Sequence, residues 1–212
     1  MWGFTATPSS NILLEPTDSV HAHFILGEGI GSGFSGVVRK CRHRVSAQEY
    51  ACKSIQKANL DGEEDFEGVR LEIAVMQKMS THPHVVGLVA AYEDEESVHL
   101  VMEICTGGDL LDEIIRAGPF DEPGAAHVIQ QMAEGLRACH EAGVIHRDIK
   151  PENMMVVRPS NRQRPNSPTS TSDMGGSPPA GFDASRRCQM QMADFGLAIF
   201  LGPFEKASGF AG

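Results

Sequence analysis

The sequence predicts an α+β protein of two lobes, in which an antiparallel β-sheet with one helix precedes a mainly helical part. Short alternating segments separated by turn residues fill the chain up to about Thr106, which is typical of strands joined by hairpins. Beyond Thr106 the apolar residues recur every three or four positions, which is the period of an amphipathic helix. We therefore expect a first lobe over residues 21–105 and a second over residues 106–212.

The first lobe is expected to contain five strands and one helix. Residues 1–20 are polar and include Pro8 and Pro16, so we interpret them as a flexible leader. Apolar residues at spacings of three and four predict an amphipathic helix over Glu63–Met79. Alternating polarity and flanking turn residues predict the strands, which cover residues 23–26, 36–41, 49–55, 84–92 and 98–104.

The second lobe is expected to begin with two helices. Asp109 is a suitable N-cap for a short helix that ends at Ala117, directly before Gly118. A longer helix is predicted over Asp121–Ala142, and Gly143 follows its end. One face of this longer helix is apolar and carries Val128, Ile129, Met132 and Leu136.

Residues 158–188 differ in composition from the rest of the second lobe. They hold five prolines and five arginines, many serines and threonines, and few apolar residues. Such a segment cannot bury enough apolar surface to offset the loss of chain entropy on folding. We therefore interpret it as a disordered insert.

Composition and charge exclude several classes of protein. The formal net charge is −10, whereas nucleic-acid binding needs a basic surface. No run approaches the roughly 18 apolar residues of a membrane span, and the first residues lack the pattern of a signal peptide. The five cysteines are odd in number and form no C-x-x-C pair. They indicate reduced thiols and a cytoplasmic protein, with the nucleus as a second location.

A glycine-rich loop is the first motif that carries chemistry. Gly31-Ser32-Gly33 is followed by Gly36 and Val38, and glycines let backbone N–H groups approach phosphate oxygens closely. The motif alone is weak, because a glycine-rich hairpin turn has the same appearance and chance gives about 0.2 matches in a chain of this length. A dinucleotide-binding loop would open a helix. Here a strand follows, so the loop joins two strands and would cover the phosphates of a nucleotide.

Lys53 and Glu72 are candidates for a functional ion pair. Lys53 lies on the third predicted strand and Glu72 lies nineteen residues later on the predicted helix. The lysine would contact nucleotide phosphates, and the glutamate would hold the lysine in place. Each residue taken alone is better explained as an exposed surface charge, so the hypothesis depends on the ordered set of motifs.

The segment His146-Arg147-Asp148-Ile149-Lys150-Pro151-Glu152-Asn153 is the most specific signal. Its five specified residues would occur by chance fewer than about 10⁻⁴ times. Asp148 can accept the proton of an attacking hydroxyl, Lys150 can neutralise charge on a moving phosphoryl group, and Asn153 can bind Mg²⁺ through its amide oxygen. Asp194, in Asp194-Phe195-Gly196, adds a carboxylate ligand for the same cation.

These motifs, in this order, resemble the eukaryotic protein kinase family from about His23 to Gly212. Lys150 is the form typical of serine/threonine kinases. The segments most similar to calcium-dependent and calmodulin-dependent protein kinases are residues 24–27, 98–103, 107–110 and 193–198. The resemblance implies a bilobal protein-kinase-like fold with ATP and Mg²⁺ as cofactors, and an incomplete second lobe because the sequence stops within the activation segment.

The resemblance also implies roles around the nucleotide. Met102 would be the gatekeeper, and the backbones of Glu103 and Cys105 would bind adenine. Val38 and Ala51 would enclose the ring. Asp109 would face the ribose. Met76, Leu88, His146 and Phe195 would form the hydrophobic column of the active state.

Three readings of function remain at this point. The first is a serine/threonine protein kinase whose protein substrates carry basic residues upstream of the target. The second is a truncated, catalytically impaired nucleotide-binding or regulatory fragment of such a kinase that cannot dock a peptide. We also expect the long helix to lose part of its cover, which would make the chain marginally stable. A small-molecule phosphotransferase is a third and weaker alternative. No EF-hand loop is present, so a calcium-linked regulator is implied by kinship alone.

Overall fold

The computed structural model describes residues 11–13, 17–33, 36–158 and 188–201. Its first lobe is built on an antiparallel five-stranded sheet with strand order β1-β2-β3-β5-β4. The strands are β1 (Phe24–Gly33), β2 (Gly36–His43), β3 (Glu49–Gln56), β4 (Leu88–Glu93) and β5 (Ser97–Met102). The predicted antiparallel sheet is therefore confirmed.

Two helices accompany this sheet. The short helix α1 (Val20–His23) leads into β1, and the Ser19 side chain caps it. Helix α2 (Glu63–Met79) has the predicted bounds and buries one apolar face. Three acidic residues in its first turn suit the positive end of the helix dipole.

The second lobe begins with helices α3 (Leu110–Ala117) and α4 (Glu122–Glu141). Asp109 caps α3 as predicted, and Asp121 caps α4 in the same way. Four short strands follow and were not predicted. They pair as β6 (Val144–Ile145) with β9 (Ile199–Phe200) and as β7 (Met154–Val157) with β8 (Gln189–Met192).

The buried face of α4 differs from the apolar face read in the sequence. Val128 is buried, but Ile129 is 60% exposed. The residues that face the core are Gly124, Val128, Gln131, Gly135 and Cys139. Gly135 is required for this approach, because a Cβ there would lie 3.0 Å from the His84 carbonyl oxygen. Val128 and Met132 pack on the core as the periodicity indicated, whereas Ile129 does not. Close packing at Gly135 selects small residues, which hydrophobic periodicity does not reveal.

The segment before β4 also departs from its prediction. Residues 84–87 were expected to belong to the strand, but β4 begins at Leu88. The backbone before it pairs instead with the end of β8 in the second lobe. The Met192 N–H donates to the His84 carbonyl at 2.9 Å, and the Val86 N–H donates to the Met192 carbonyl at 2.9 Å.

Part of the predicted leader packs against the first lobe, whereas Asn11 and residues 17–19 are exposed. Ile12 and Val20 are both almost fully buried, and the backbone of residues 12 and 13 is hydrogen-bonded to Glu93. Apolar contact with the first lobe fixes these residues. Residues 1–10 and 14–16 lie outside the described residues.

Both ends of the predicted insert belong to the folded part. Arg158 donates to the buried carboxylate of Glu113 at 2.7 Å. Cys188 is buried, and its carbonyl accepts from the Gln131 side chain at 3.4 Å. Residues 159–187 lie outside the described residues, so their disorder stays a prediction. Within the part of the chain that is described, no helix is long and apolar enough to cross a membrane.

Candidate active site

A buried ion pair joins the sheet and helix of the first lobe. The Lys53 ammonium on β3 lies 2.6 Å from Glu72 Oε1 on α2 and 3.2 Å from Asp194 Oδ1, which follows β8. Lys53 and Glu72 are both buried, whereas the Asp194 side chain is 45% exposed. The structure thus brings together three predicted site residues from three separate segments.

The electrostatics of the pair keep the lysine charged. Burial by itself would lower the pKa of Lys53, but the carboxylates of Glu72 and Asp194 outweigh it, so the pKa lies above its ordinary value. A buried ammonium needs such partners, because an unpaired charge in the interior is costly. Its second partner, Asp194, is partly exposed to solvent, and phosphate groups could approach the same lysine from that side.

The glycine-rich segment is a β-hairpin between β1 and β2. Gly33 pairs with Gly36, and Gly31 pairs with Val38. Gly31 and Ser32 are exposed, and among the described residues a Cβ on Gly31 would meet only the Val38 side chain at 3.9 Å. The described residues therefore leave room beside Gly31. The hairpin excludes the helix-opening loop of a dinucleotide-binding fold.

The connection after β5 holds the residues expected to bind adenine. Met102 ends β5 and pairs with Ala51, which is buried on β3. The Glu103 N–H donates to the Gly87 carbonyl at 3.0 Å, so a nucleotide contact from this backbone would use its carbonyl oxygen. Burial raises the pKa of the Cys105 thiol to about 12, so the thiol is neutral.

Asp109 has a structural task that limits its predicted contact with ribose. Its Oδ1 accepts from the Asp112 N–H at 2.8 Å and caps α3. A carboxylate in this position also suits the positive end of the helix dipole. The second carboxylate oxygen is the one that a ribose hydroxyl could reach.

The loop between β6 and β7 gathers three charged or polar site residues. Lys150 Nζ lies 2.7 Å from Asp148 Oδ2. The Asn153 amide nitrogen donates to the same oxygen and to the Asp148 carbonyl, both at 2.8 Å. These hydrogen bonds, first that from Lys150, hold the pKa of Asp148 below its ordinary value although partial burial opposes them. Asp148 is therefore ionised near neutral pH and oriented by two neighbours.

His146 connects this loop to the Asp194 segment. Its Nε2 donates to the Ala193 carbonyl at 3.1 Å, and its Nδ1 accepts from the Asp148 N–H at 3.3 Å. This pair of contacts requires the neutral ring with the proton on Nε2. Burial lowers the pKa of His146, which agrees with that form.

Two of the three described non-glycine residues with positive φ lie on these two segments, and the third is Ala47 in the turn after β2. Arg147 and Asp194 have positive φ angles of 69° and 60°, a region that non-glycine residues rarely occupy. Such conformations persist only when the surroundings impose them, and they cluster at functional sites. The sequence offered no sign of this strain, because neither position is glycine.

The residues present fit a Mg²⁺ ion. Asn153 and Asp194 are brought near one another, since the Ala193 N–H donates to the Asn153 carbonyl at 2.9 Å. Both side-chain contacts of Asn153 use its amide nitrogen, so neither engages the oxygen that would bind a cation. Hard oxygen ligands of this kind, completed by phosphate and water, suit Mg²⁺. Among the described residues, no group of three or more His, Cys, Asp or Glu side chains could hold a metal ion.

The four residues of the expected hydrophobic column lie in one region. Met76 and Phe195 are fully buried in the main hydrophobic cluster, and Leu88 packs against it. The rings of His146 and Phe195 are 4.7 Å apart. The column therefore runs from α2 and β4 to the loop that carries Asp148.

The sequence analysis did not identify Gln191, a buried residue near the connection after β5. Gln191 on β8 donates from Nε2 to Glu103 Oε2 at 3.1 Å, and its Oε1 accepts from the Cys105 thiol at 3.4 Å. It thereby links β8 to both positions that were expected to bind adenine. The only feature of the sequence that could have pointed to this residue is its position three residues before Asp194, and that spacing does not specify glutamine.

Comparison with known proteins identifies the family. The model of the protein kinase domain matches residues 24–212, which is nearly the whole chain. The chain therefore belongs to the protein kinase family, and the fold described above is an incomplete bilobal kinase fold.

Curated proteins similar to this chain include calcium-dependent protein kinases of plants. Calcium-dependent protein kinase 2 of Oryza sativa subsp. japonica is 43% identical over 150 residues, which are 71% of this chain and 29% of the relative. Calcium-dependent protein kinase 4 of Arabidopsis thaliana is 38% identical over 196 residues, which are 92% of this chain and 34% of the relative. The predicted likeness to serine/threonine kinases of the calcium-dependent type is confirmed. The chain spans about a third of the length of these relatives.

Proposed function

We propose that this chain carries the catalytic centre of a serine/threonine protein kinase that uses Mg-ATP. The observation that supports this proposal most is the buried Lys53–Glu72 pair with Asp194 within reach. Kinase chemistry requires that ion pair and an aspartate that binds the metal in the same site. The Asp148 loop supplies the remaining polar groups.

Lys53 and the glycine hairpin would position the nucleotide. The Lys53 ammonium is held by two carboxylates, and a phosphate oxygen can be added on the side where Asp194 is exposed. The space that the described residues leave beside Gly31 lets backbone N–H groups approach the same phosphates. Positioning of this kind provides much of the catalysis in phosphoryl transfer.

Asp148 would receive the proton of the substrate hydroxyl. In the transfer, the Ser or Thr oxygen forms a bond to the γ-phosphorus while the bond from that phosphorus to the β–γ bridging oxygen of ATP breaks, which leaves ADP. Lys150, 2.7 Å from Asp148, can neutralise charge on the transferred group. A Mg²⁺ ion held by Asn153 and Asp194 would supply further charge neutralisation on the phosphates.

The substrates are proposed to carry Arg or Lys upstream of the target residue. Glu152 is exposed beside the Asp148 loop and is free to meet a basic side chain, whereas Asp109 uses one oxygen to cap α3. A peptide-library profile should show the basic preference, and Glu152→Gln should weaken it. An acidic or proline-directed preference would contradict the proposal.

A calcium-linked regulator and a cytoplasmic or nuclear location are further proposals. The names of the relatives state calcium dependence for those proteins. Cys41, Cys52, Cys105 and Cys139 are free thiols, which supports a reducing compartment.

Thermal unfolding with and without Mg-ATP tests the nucleotide site. Nucleotide at about 100 times its Kd should stabilise the chain by about 2.7 kcal/mol, which corresponds to a rise in Tm of about 5–10 °C for a chain of this size. Lys53→Met should abolish the rise. Lys40→Met is the matched control, because that strand lysine pairs with Glu49 on the surface and should keep the rise. No rise in the unmutated chain would refute the site.

Phosphate transfer to a basic peptide tests the chemistry. Asp148→Asn should keep the Mg-ATP stabilisation but lower transfer by at least about 100-fold, the usual contribution of a general base. A covalent phosphoenzyme intermediate during turnover would rule out direct transfer. Nucleotide binding without any transfer in the unmutated chain would favour the nucleotide-binding fragment instead.

A further inference from the structure

A short N-terminal segment is bound to the far end of β4. The Ile12 N–H donates to both oxygens of the Glu93 carboxylate at 2.8 and 3.0 Å, and the Leu13 N–H donates to one of them at 2.6 Å. The Ile12 side chain is only 3% exposed and belongs to the main hydrophobic cluster. We call residues 11–13 the N-terminal strap.

Glu93 also joins the strap to the connection between β3 and α2. Lys57, in the 3₁₀ turn after β3, lies 2.7 Å from Glu93 Oε1 and donates to the Asp94 carbonyl at 2.7 Å. Burial would raise the pKa of Glu93, but the hydrogen bonds from Lys57 and from the strap prevail and lower it. Removing the strap would leave a mostly buried carboxylate with fewer donors, which is unfavourable.

The strap also contacts α2, the helix that carries Glu72. Arg70 Nη2 donates to the Asn11 carbonyl at 2.8 Å, and the same guanidinium pairs with Glu63 and Glu67 on α2. Ile12 shares its hydrophobic cluster with Val69 and other residues on the buried face of α2. The strap therefore connects the helix, the end of β4 and the turn after β3.

We propose that the N-terminal strap positions α2 so that Glu72 reaches Lys53, with Ile12 as the positioning residue. Lys53 lies on β3 and Glu72 on α2, so their 2.6 Å contact exists only while the helix is held against the sheet. The strap contacts both Arg70 on the helix and Glu93 at the end of β4, so it fixes the helix relative to the sheet. The consequence for nucleotide binding rests on the proposed kinase function, whereas the hold on α2 does not.

Three variants test the strap in the 212-residue chain. Ile12→Asp places a charge in the apolar cluster and should release the strap, and Ile12→Ala is a milder version in case the first variant does not fold. Ile12→Leu should behave as the unmutated chain. Val45→Asp is the matched control, because Val45 is 90% exposed in the same lobe.

Hydrogen exchange without nucleotide measures the hold on α2. Ile12→Asp or Ile12→Ala should speed exchange across Glu63–Met79, and Val45→Asp should not. Unchanged exchange in both Ile12 variants would overturn the proposal. This measurement decides the question even if the chain binds no nucleotide, an outcome that would refute only the proposed function.

Mg-ATP affinity measures the link to the ion pair. Release of the strap should raise the Kd about tenfold if α2 then stays docked in about a tenth of the molecules. In a Glu72→Gln background the same Ile12 substitution should raise the Kd for Mg-ATP less than about twofold, because the Lys53–Glu72 ion pair that the strap supports is already lost. Equal effects in both backgrounds would show that Ile12 acts only on general stability and would overturn the positioning role.

Discussion

Gly36 and Gly31 lie in the same hairpin but should respond differently to replacement by alanine. Gly36 has φ +136°, and a Cβ there would lie 2.4 Å from the Ser54 carbonyl oxygen and 3.1 Å from its carbon. Both neighbours are backbone atoms of β3, so they cannot move aside without distorting the sheet. At Gly31 the nearest atom would be the Val38 Cβ at 3.9 Å, an ordinary contact.

The expected loss of folding free energy in Gly36→Ala combines two costs and one smaller gain. A backbone conformation reserved for glycine costs about 1–3 kcal/mol, and the forced contact with β3 costs about 1–3 kcal/mol more. The lower entropy of the unfolded alanine chain returns about 0.4–1 kcal/mol. A net loss of about 1–5.6 kcal/mol lowers Tm by roughly 2–22 °C in a chain of this size.

Thermal unfolding with and without Mg-ATP separates the two glycines. Gly36→Ala should lower Tm in the absence of nucleotide. Gly31→Ala should change that Tm by no more than about 2 °C, since substitutions away from packed features alter stability by about 0.5 kcal/mol or less. It should nevertheless reduce the rise produced by Mg-ATP. A Gly36→Ala chain with the same Tm as the unmutated chain would refute the reasoning from close packing.

Two further predictions concern packing and pH. Val128→Ala should lower the free energy of unfolding by about 2 kcal/mol because Val128 is buried. Ile129→Ala should change that free energy by less than about 0.5 kcal/mol. Urea unfolding measures both values, and equal losses would contradict the observed buried face of α4. Burial lowers the pKa of the His146 ring in the folded chain. Below about pH 6.5 the unfolded chain therefore binds a proton that the folded chain does not, and the free energy of unfolding decreases as the pH is lowered. In His146→Gln, urea unfolding between pH 7.5 and 5.5 should show a shallower decline, and an unchanged decline would count against a buried neutral ring.

The sequence alone predicted the chemistry because that chemistry lies in continuous segments. The Asp148 loop needs its aspartate, lysine and asparagine on one short stretch of backbone, and their spacing is therefore visible without a fold. The bounds of α2 and the cap of α3 at Asp109 were also local properties, since periodicity and capping depend on neighbouring residues.

The direction in which α4 packs could not be predicted in the same way. The apolar residues of that helix suggested a face that includes Ile129, yet the buried face centres on Gln131 and Gly135. Gln131 bonds the backbone of β8, with its Oε1 accepting from the Met190 N–H at 2.9 Å. A buried glutamine with satisfied hydrogen bonds has no signature in hydrophobic periodicity.

The sequence by itself determined the family motifs, the two-lobed α+β architecture and the groups available for phosphoryl transfer. The pairing of Lys53 with Glu72 was predicted, whereas the tertiary structure alone decided other contacts between distant groups. Lys53 reaches Asp194 across 141 positions of the chain, and Ile12 reaches Glu93 across 81. Such contacts depend on how helices and strands pack in three dimensions, and spacing along the chain carries no record of that packing.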